Sequence, residues 1–410
     1  MVMPIDWSSV YAGRAERMKA SEIRELLKLL DQPDVISFAG GIPDPALFPT
    51  LAFREANEKI LGDAKIAAQA LQYSISEGYP PLRQWIVEHM KSMGVDCDID
   101  NILITHGSQQ ALDFLGKMLI SPGDTALVTA PTYLGALQAF NPYEPRYDTL
   151  APEGNRTPLS YAEAAEREGG RVKFAYLVPD CSNPTGETLD ETGRLKVLDL
   201  AENLGVPVIE DAAYRAIRFE GDAPRTIQAL DCDRSGGIDA CRTIFLGTFS
   251  KTLAPAYRIG WICAAKPLIQ KLVLVKQASD LHTSTINQML MFEVAEKTYD
   301  RQVEAVIETY SKRRDALLRA LKTRMPKGVS WTEPNGGLFV WVTLPEKIDG
   351  AALLARAITE ERVAFVPGKA FFATESKANT IRLNFSAPTE AMIEEGISRL
   401  GRLVKNELSH

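Results

Sequence analysis

A chain of 410 residues is longer than one ordinary single-core domain, so two or three domains are expected. With 45% hydrophobic and 24% charged residues the composition is globular, and a net charge of −7 argues against a general nucleic-acid binder while leaving room for a local cationic pocket. Five cysteines (Cys97, Cys181, Cys232, Cys241, Cys263) without CxxC spacing, and four histidines without HExxH, argue against a disulfide framework and a zinc site, so no metal is expected.

Met1 to Arg17 mix charge, Pro and Trp and lack an apolar h-region, and no run of about 18 apolar residues follows. A cytoplasmic protein without membrane spans is the expectation. Ser21 to Leu30, SEIRELLKLL, reads as a short amphipathic helix capped by Ser21. Gly40, Gly41, Pro43, Pro45 and Pro49 then force a loop.

From about residue 100, short apolar runs alternate with helical patterns. The runs are 102–105, 126–130, 174–178, 206–210, 243–249 and 258–264. Helical segments are expected from Gln109 to Ile120, after Tyr133, and from Thr192 to Asn203. This alternation predicts an α/β unit whose largely parallel sheet is covered on both faces. Near residue 290 the texture changes. A long charged helix is expected from Asn287 towards Met325, followed by separate strands and helices that suggest a smaller α+β unit.

Five segments carry residues fit for chemistry. In THGSQQALDF a strand ends, Gly107-Ser108-Gln109 turn, and a helix begins. Free N–H groups and the helix dipole make this an anion site or a plain helix start. No GxGxxG or Walker A sequence accompanies it, which weighs against a nucleotide. In PDCSNPTG, Pro184 keeps Asn183 out of helical conformation. This is a turn, or a fixed amide that can face both a ring oxygen and a carboxylate. Asp211 ends VPVIED, where α/β folds place functional groups. It reads as an N-cap, or as a carboxylate keeping the ring nitrogen of pyridoxal 5′-phosphate (PLP) protonated. Tyr214, three residues on, can reach the same ring.

Lys251 follows the apolar run of GTFSKTLAPAYRIGW, with Ser250 before it and Arg258 seven residues later. A hydroxyl and a guanidinium on the strands flanking one turn can both reach a phosphate. A lysine beside such a site loses stability as an ammonium, and its pKa can fall below the usual value of about 10.4. Arg382 sits within the apolar run TIRLNFS. A charge there needs a partner, either a structural carboxylate or that of a bound substrate.

SNPTG, then ED with Tyr three later, then SK with Arg seven later, then IRLNFS: in this order the set resembles the fold-type I, class I/II PLP aminotransferases, over about Ser21 to Ser386. The resemblance implies a mostly parallel seven-stranded sheet between helices. It also implies a PLP-binding domain over 50–290 and a small α+β domain over 291–410, with residues 1–49 an arm and helix that lies over the active site or joins the small domain. It implies that Lys251 carries PLP covalently and later moves the substrate's α-proton. Asp211 would pair with the ring nitrogen, and Asn183 and Tyr214 with the ring hydroxyl. Ser108, Gln109, Ser250 and Arg258 would hold the phosphate, with Tyr133 stacked on the ring. Tyr73, in LQYSISEGYPPLR, would reach a neighbouring subunit's phosphate, which implies a homodimer with shared sites. Arg382 with Asn183 would bind the substrate carboxylate, beside the backbone at Gly41.

IRELLKLL and SFAGGIPDPALFP are similar to the 2-aminoadipate and kynurenine aminotransferase branch, where Arg24 would meet a distal substrate carboxylate or stay solvated. The chain departs from that branch at Cys181-Ser182 and Ala256-Tyr257. Ping-pong transfer between an L-amino acid and a 2-oxo acid is the implied activity. A lyase, decarboxylase or racemase on the same scaffold is the alternative. A regulator's effector-binding domain is disfavoured, because only about twenty residues precede the first matching helix and no DNA-reading module fits there.

Overall fold

The computed structural model describes residues 5–18, 34–374 and 376–409. The expected helix Ser21–Leu30, with Arg24, lies outside the described residues. In chain order the strands up to residue 263 are β1 (Ile36–Ser37), β2 (Ile102–Thr105), β3 (Thr125–Val128), β4 (Arg146–Thr149), β5 (Val172–Leu177), β6 (Val208–Asp211), β7 (Thr243–Thr248) and β8 (Gly260–Cys263). Beyond them come β9 (Ser330–Trp331), β10 (Phe339–Thr343), β11 (Val363–Ala364), β12 (Val366–Pro367) and β13 (Thr380–Asn384).

β2 to β8 form one seven-stranded sheet in the order β2-β8-β7-β6-β5-β3-β4. β3 to β7 pair in parallel, and β8 is antiparallel to both its neighbours. The alternation along each strand explains why both faces are dry. Ala126, Val128, Phe174 and Tyr176 pack with Leu112, Phe114 and Leu115 of the helix Gly107–Leu119. The intervening Leu127, Ala175 and Leu177 pack with Val197, Leu198 and Ala201 of the helix Glu191–Leu204. Successive side chains point to opposite faces, so a strand buried on both must be apolar throughout. The exception is β4, an edge strand with half its surface wet and the sequence RYDT.

The helix Thr285–Arg324 matches the expected long helix closely. Its first half buries Met289, Met291 and Val294 beside the large sheet. Its second half buries Tyr310, Leu317 and Leu321 beside β10 and the C-terminal helix Glu390–Ser409. There β12-β13-β10-β9 form a four-stranded antiparallel sheet. The N-terminal segment joins this part through β1, which pairs in parallel with β11. The fold is thus α/β, with a smaller α+β part made of the N-terminal segment and the C-terminal third. Arg382 lies mid-strand in β13, opposite Trp341 and Val366, and this places it over the C-terminal ends of the large sheet's strands through Asn183.

Candidate active site

The carboxyl ends of parallel strands are where the connecting loops leave a crevice. Asp211 ends β6, the loop after β5 carries Asn183, the turn after β7 carries Lys251, and the turn after β2 opens the helix at Gly107. One correction follows for Ser250 and Arg258. They do not sit on the flanking strands, since β7 ends at Thr248 and β8 begins at Gly260; both belong to the connection itself. A chain in a connection can turn its side chains inward without breaking ladder hydrogen bonds, and Arg258 uses a left-handed φ of 56° to do so.

Lys251 Nζ donates to the carbonyl of Gly41 at 3.0 Å. A Cβ at Gly41 would stand 2.9 Å from the Phe339 ring, so only glycine lets this backbone pass. Burial first, and then the Arg382 and Arg258 charges, pull the Lys251 pKa down to about 8, with Asp211 opposing. Asp211 is 2% exposed. Its Oδ2 accepts from the Tyr176 hydroxyl at 3.0 Å, while its Oδ1 has no hydrogen-bond partner among the described residues. Burial pushes the Asp211 pKa up to about 6 against the Tyr176 hydrogen bond.

Asn183 links two groups. Its amide nitrogen donates to the Tyr214 hydroxyl at 3.2 Å, and its Oδ1 accepts from Arg382 Nη1 at 2.8 Å. Arg382 Nη2 donates to the carbonyl of Ala39 at 2.7 Å, and Nε is unsatisfied. The guanidinium lies 4.2 Å from the Phe339 ring centroid and 5.0 Å from that of Phe371. Among the described residues no carboxylate pairs with Arg382, although burial lowers its pKa to about 10.

The turn after β2 is built for an anion. The helix Gly107–Leu119 has no side-chain cap, so its first N–H groups stay free. Gly107 has φ +70°, and a Cβ there would meet Arg258 Nη2 at 2.6 Å. Arg258 donates to Ser250 Oγ at 3.4 Å and to the carbonyl of His106 at 3.4 Å. Gln109 donates to the carbonyl of Gly135 at 2.7 Å and accepts from the Tyr133 hydroxyl at 3.5 Å, which ties Tyr133 to the same turn. Ser108 is the first side chain of that turn. Tyr73 is the outlier: it is 79% exposed, and its ring meets the His282 ring in an edge-to-face arrangement at 5.9 Å.

The residues fit PLP on three counts. A buried carboxylate oxygen without a donor is expensive, and a protonated ring nitrogen would satisfy it. A buried guanidinium without a carboxylate calls for one from a substrate. An uncapped helix start beside an arginine suits a phosphate. Sequence reasoning missed Tyr176, Phe339 and Phe371. Tyr176 had a signal, a lone hydroxyl within the apolar run FAYLV; the two phenylalanines look like ordinary core residues.

The model of the family described as "Aminotransferase class I and II" matches residues 33–400. The chain belongs to that family. Aromatic-amino-acid aminotransferase 1 of Thermococcus litoralis is 44% identical over 411 aligned residues, spanning 98% of this chain and 96% of that one. The kynurenine aminotransferase of Pyrococcus horikoshii, solved in complex with PMP, superposes with a TM-score of 0.90 at 41% identity over 98% of each chain. The alpha-aminoadipate aminotransferase of Thermus thermophilus, complexed with N-(5′-phosphopyridoxyl)-L-leucine, gives 0.88 at 39% identity over 99% of this chain and 100% of the other. This aminotransferase is therefore a PLP enzyme that moves an amino group between an amino acid and a 2-oxo acid. No helix among its described residues is long and apolar enough to cross a membrane.

A raised carboxyl pKa means that the folded chain holds this proton more tightly than the unfolded chain. The Asp211 contribution therefore falls as pH rises from the ordinary 3.8 through about 6, and stays low above it. At about 1.4 kcal/mol per pH unit, the penalty is on the order of 3 kcal/mol. In cofactor-free protein, Asp211→Asn should raise Tm relative to wild type more at about pH 7 than at about pH 4. Calorimetry showing the same difference at both pH values would contradict it.

Proposed function

We propose that this aminotransferase runs a ping-pong cycle at the cluster around Lys251. PLP would be linked to Lys251 and held through Asp211, Asn183, Tyr214, Tyr133, Ser108, Gln109, Ser250 and Arg258. The observation that carries the reading is a pair of buried, opposite charges facing one crevice, each incomplete: Asp211 Oδ1 without a donor and Arg382 without a carboxylate.

When bound, PLP supplies an electron sink for charge developing at the substrate α-carbon. The chain's own groups do the rest. Arg382, braced by Asn183 and the Ala39 carbonyl, fixes the substrate α-carboxylate. The Phe339 and Phe371 rings packed against its guanidinium limit its tilting. Lys251 Nζ takes the α-proton as general base and returns it on the other side of the transfer. A pKa near 8 leaves a useful share of free amine at neutral pH. Asp211 Oδ1 keeps the ring nitrogen protonated, and the cation there offsets the burial that raises its pKa. Tyr214 and Asn183 hold the ring hydroxyl.

Arg382→Lys keeps the charge but loses the fork of donors. KM for the amino acid should rise, and kcat/KM should fall by roughly 10²-fold, about 2–3 kcal/mol. Steady-state kinetics with unchanged KM would remove Arg382 from the carboxylate site.

The relatives' names support donors among aromatic amino acids, 2-aminoadipate and kynurenine. A boundary near residue 290, at the start of the helix Thr285–Arg324, divides the PLP-binding part from the smaller part, and a cytoplasmic setting fits the free cysteines. The working form is a homodimer. Leu71, Tyr73, Ile75 and Leu281 are large apolar side chains left 44% to 79% exposed, which is what a subunit contact covers. Tyr73 would then reach the partner's phosphate seat. Sedimentation should give twice 45.2 kDa, and a monomer would contradict the shared site.

A further inference from the structure

Behind the turn at Gly107 lies a half-buried ionic cluster that the cycle above leaves unused. Lys276, at the end of the helix Lys266–Gln277, has a side chain with no exposed surface. Its Nζ donates to Asp280 Oδ2 at 3.0 Å, to Asp280 Oδ1 at 3.1 Å and to Gln110 Oε1 at 3.0 Å. Asp280 Oδ2 also meets His106 Nδ1 at 2.9 Å and accepts from Gln110 Nε2 at 2.8 Å. Gln110 Oε1 accepts the backbone N–H of His106 at 2.9 Å. His106 is thus held at its ring and its nitrogen, and its carbonyl accepts from Arg258.

Lysine is almost never fully buried unless paired, and a pair of this kind adds little stability over an apolar replacement. Burial alone would raise the Asp280 pKa, but the hydrogen bonds from Gln110 and Lys276 outweigh it and keep the carboxyl ionised. The cluster connects to the crevice through His106, the residue just before the helix start at Gly107. Among the described residues it makes no hydrogen bond to Asn183, Asp211, Tyr214 or Lys251, so it bears on the phosphate end of the site and not on the ring end.

We propose that Lys276, Asp280 and Gln110 are positioning residues for the cofactor phosphate: by fixing His106 they set both the Gly107–Gln109 turn and the Arg258 guanidinium. This rests on the reading of that turn and Arg258 as the phosphate seat. Phosphate hydrogen bonds are short and directional, so a seat that shifts by a few tenths of an ångström holds its anion less well.

The test compares two rings that differ only in the phosphate. Release of PLP from the full-length holoenzyme is timed, and release of pyridoxal from the same protein loaded with that ring instead. In Asp280→Asn and Lys276→Met, PLP release should accelerate by about tenfold or more while pyridoxal release stays within about twofold of wild type. Gln110→Leu, a milder change, should move the same ratio in the same direction if either charge variant fails to fold. Parallel loss of both rings would mark a merely structural cluster and overturn the proposal, as would wild-type release of both. Arg258→Ala separates the two levels. If it too leaves PLP release unchanged, the phosphate seat itself is wrong; if it alone speeds release, only the positioning role is wrong.

Discussion

Lys251→Ala is expected to lower turnover by roughly 10³-fold or more, because the variant loses its proton-transfer group at the α-carbon. The fold should survive the change. Among the described residues Lys251 makes one hydrogen bond, to Gly41, and removing a partly desolvated amine of lowered pKa relieves a cost instead of leaving a buried partner charge unpaired. PLP should also stay bound, since Arg258, Ser250, the open helix start and Asp211 remain. The signature is therefore specific: a bound chromophore with an altered visible band and almost no product. Single-turnover kinetics separates this from a binding defect. Turnover near wild type would mean that another base does the work, and the assignment of Lys251 would fail.

The second large effect is expected at Asp211. Asp211→Ala should reduce kcat by about 10²- to 10³-fold, the usual size of losing one preorganised charge aimed at a reacting group. The buried carboxylate has one oxygen committed to Tyr176 and one waiting. Without it the ring nitrogen can stay unprotonated, and the α-carbon charge has a shallower sink. Tyr176→Phe gives a graded companion. It removes the hydrogen bond that most opposes burial, ahead of the Ala213 backbone and the Lys251 charge, so Asp211 should be harder to ionise and the acid limb of the kcat–pH profile should move upward. A profile that moves down, or an Asp211→Ala variant within a few-fold of wild type, would contradict the role.

The two charged variants draw on residues that sequence alone could name. Asp211, Lys251, Asn183, Tyr214, Arg258 and Arg382 stand in fixed local settings: the last position of an apolar run, the residue before a proline, a charge inside a strand. Those settings survive folding because each is decided by its near neighbours. Six of the seven strands of the large sheet were legible for the same reason, since strands buried on both faces must be continuously apolar. β4 was not, because an edge strand with the sequence RYDT has one wet side and carries no such run; the count of seven came from the family resemblance. The long helix was visible within two residues at its start.

What stayed hidden depends on contacts between distant segments. The Ala39 carbonyl under Arg382 lies 343 residues away in sequence, and the Asp280–His106 contact spans 174. Phe339 and Phe371 look like ordinary core residues until both rings are found against the Arg382 guanidinium. No local pattern distinguishes a buried lysine from an exposed one; only the packing of the helix Lys266–Gln277 against the helix Gly107–Leu119 does.

The central claim, an amino group carried by PLP at Lys251, meets its most direct test in the visible spectrum of the purified enzyme. The account predicts a visible band that one amino donor bleaches towards the ultraviolet, with no acceptor present, and that a 2-oxo acid then restores. A bound chromophore that no amino acid bleaches in this way, or a chain that cannot be loaded with PLP at all, would contradict it.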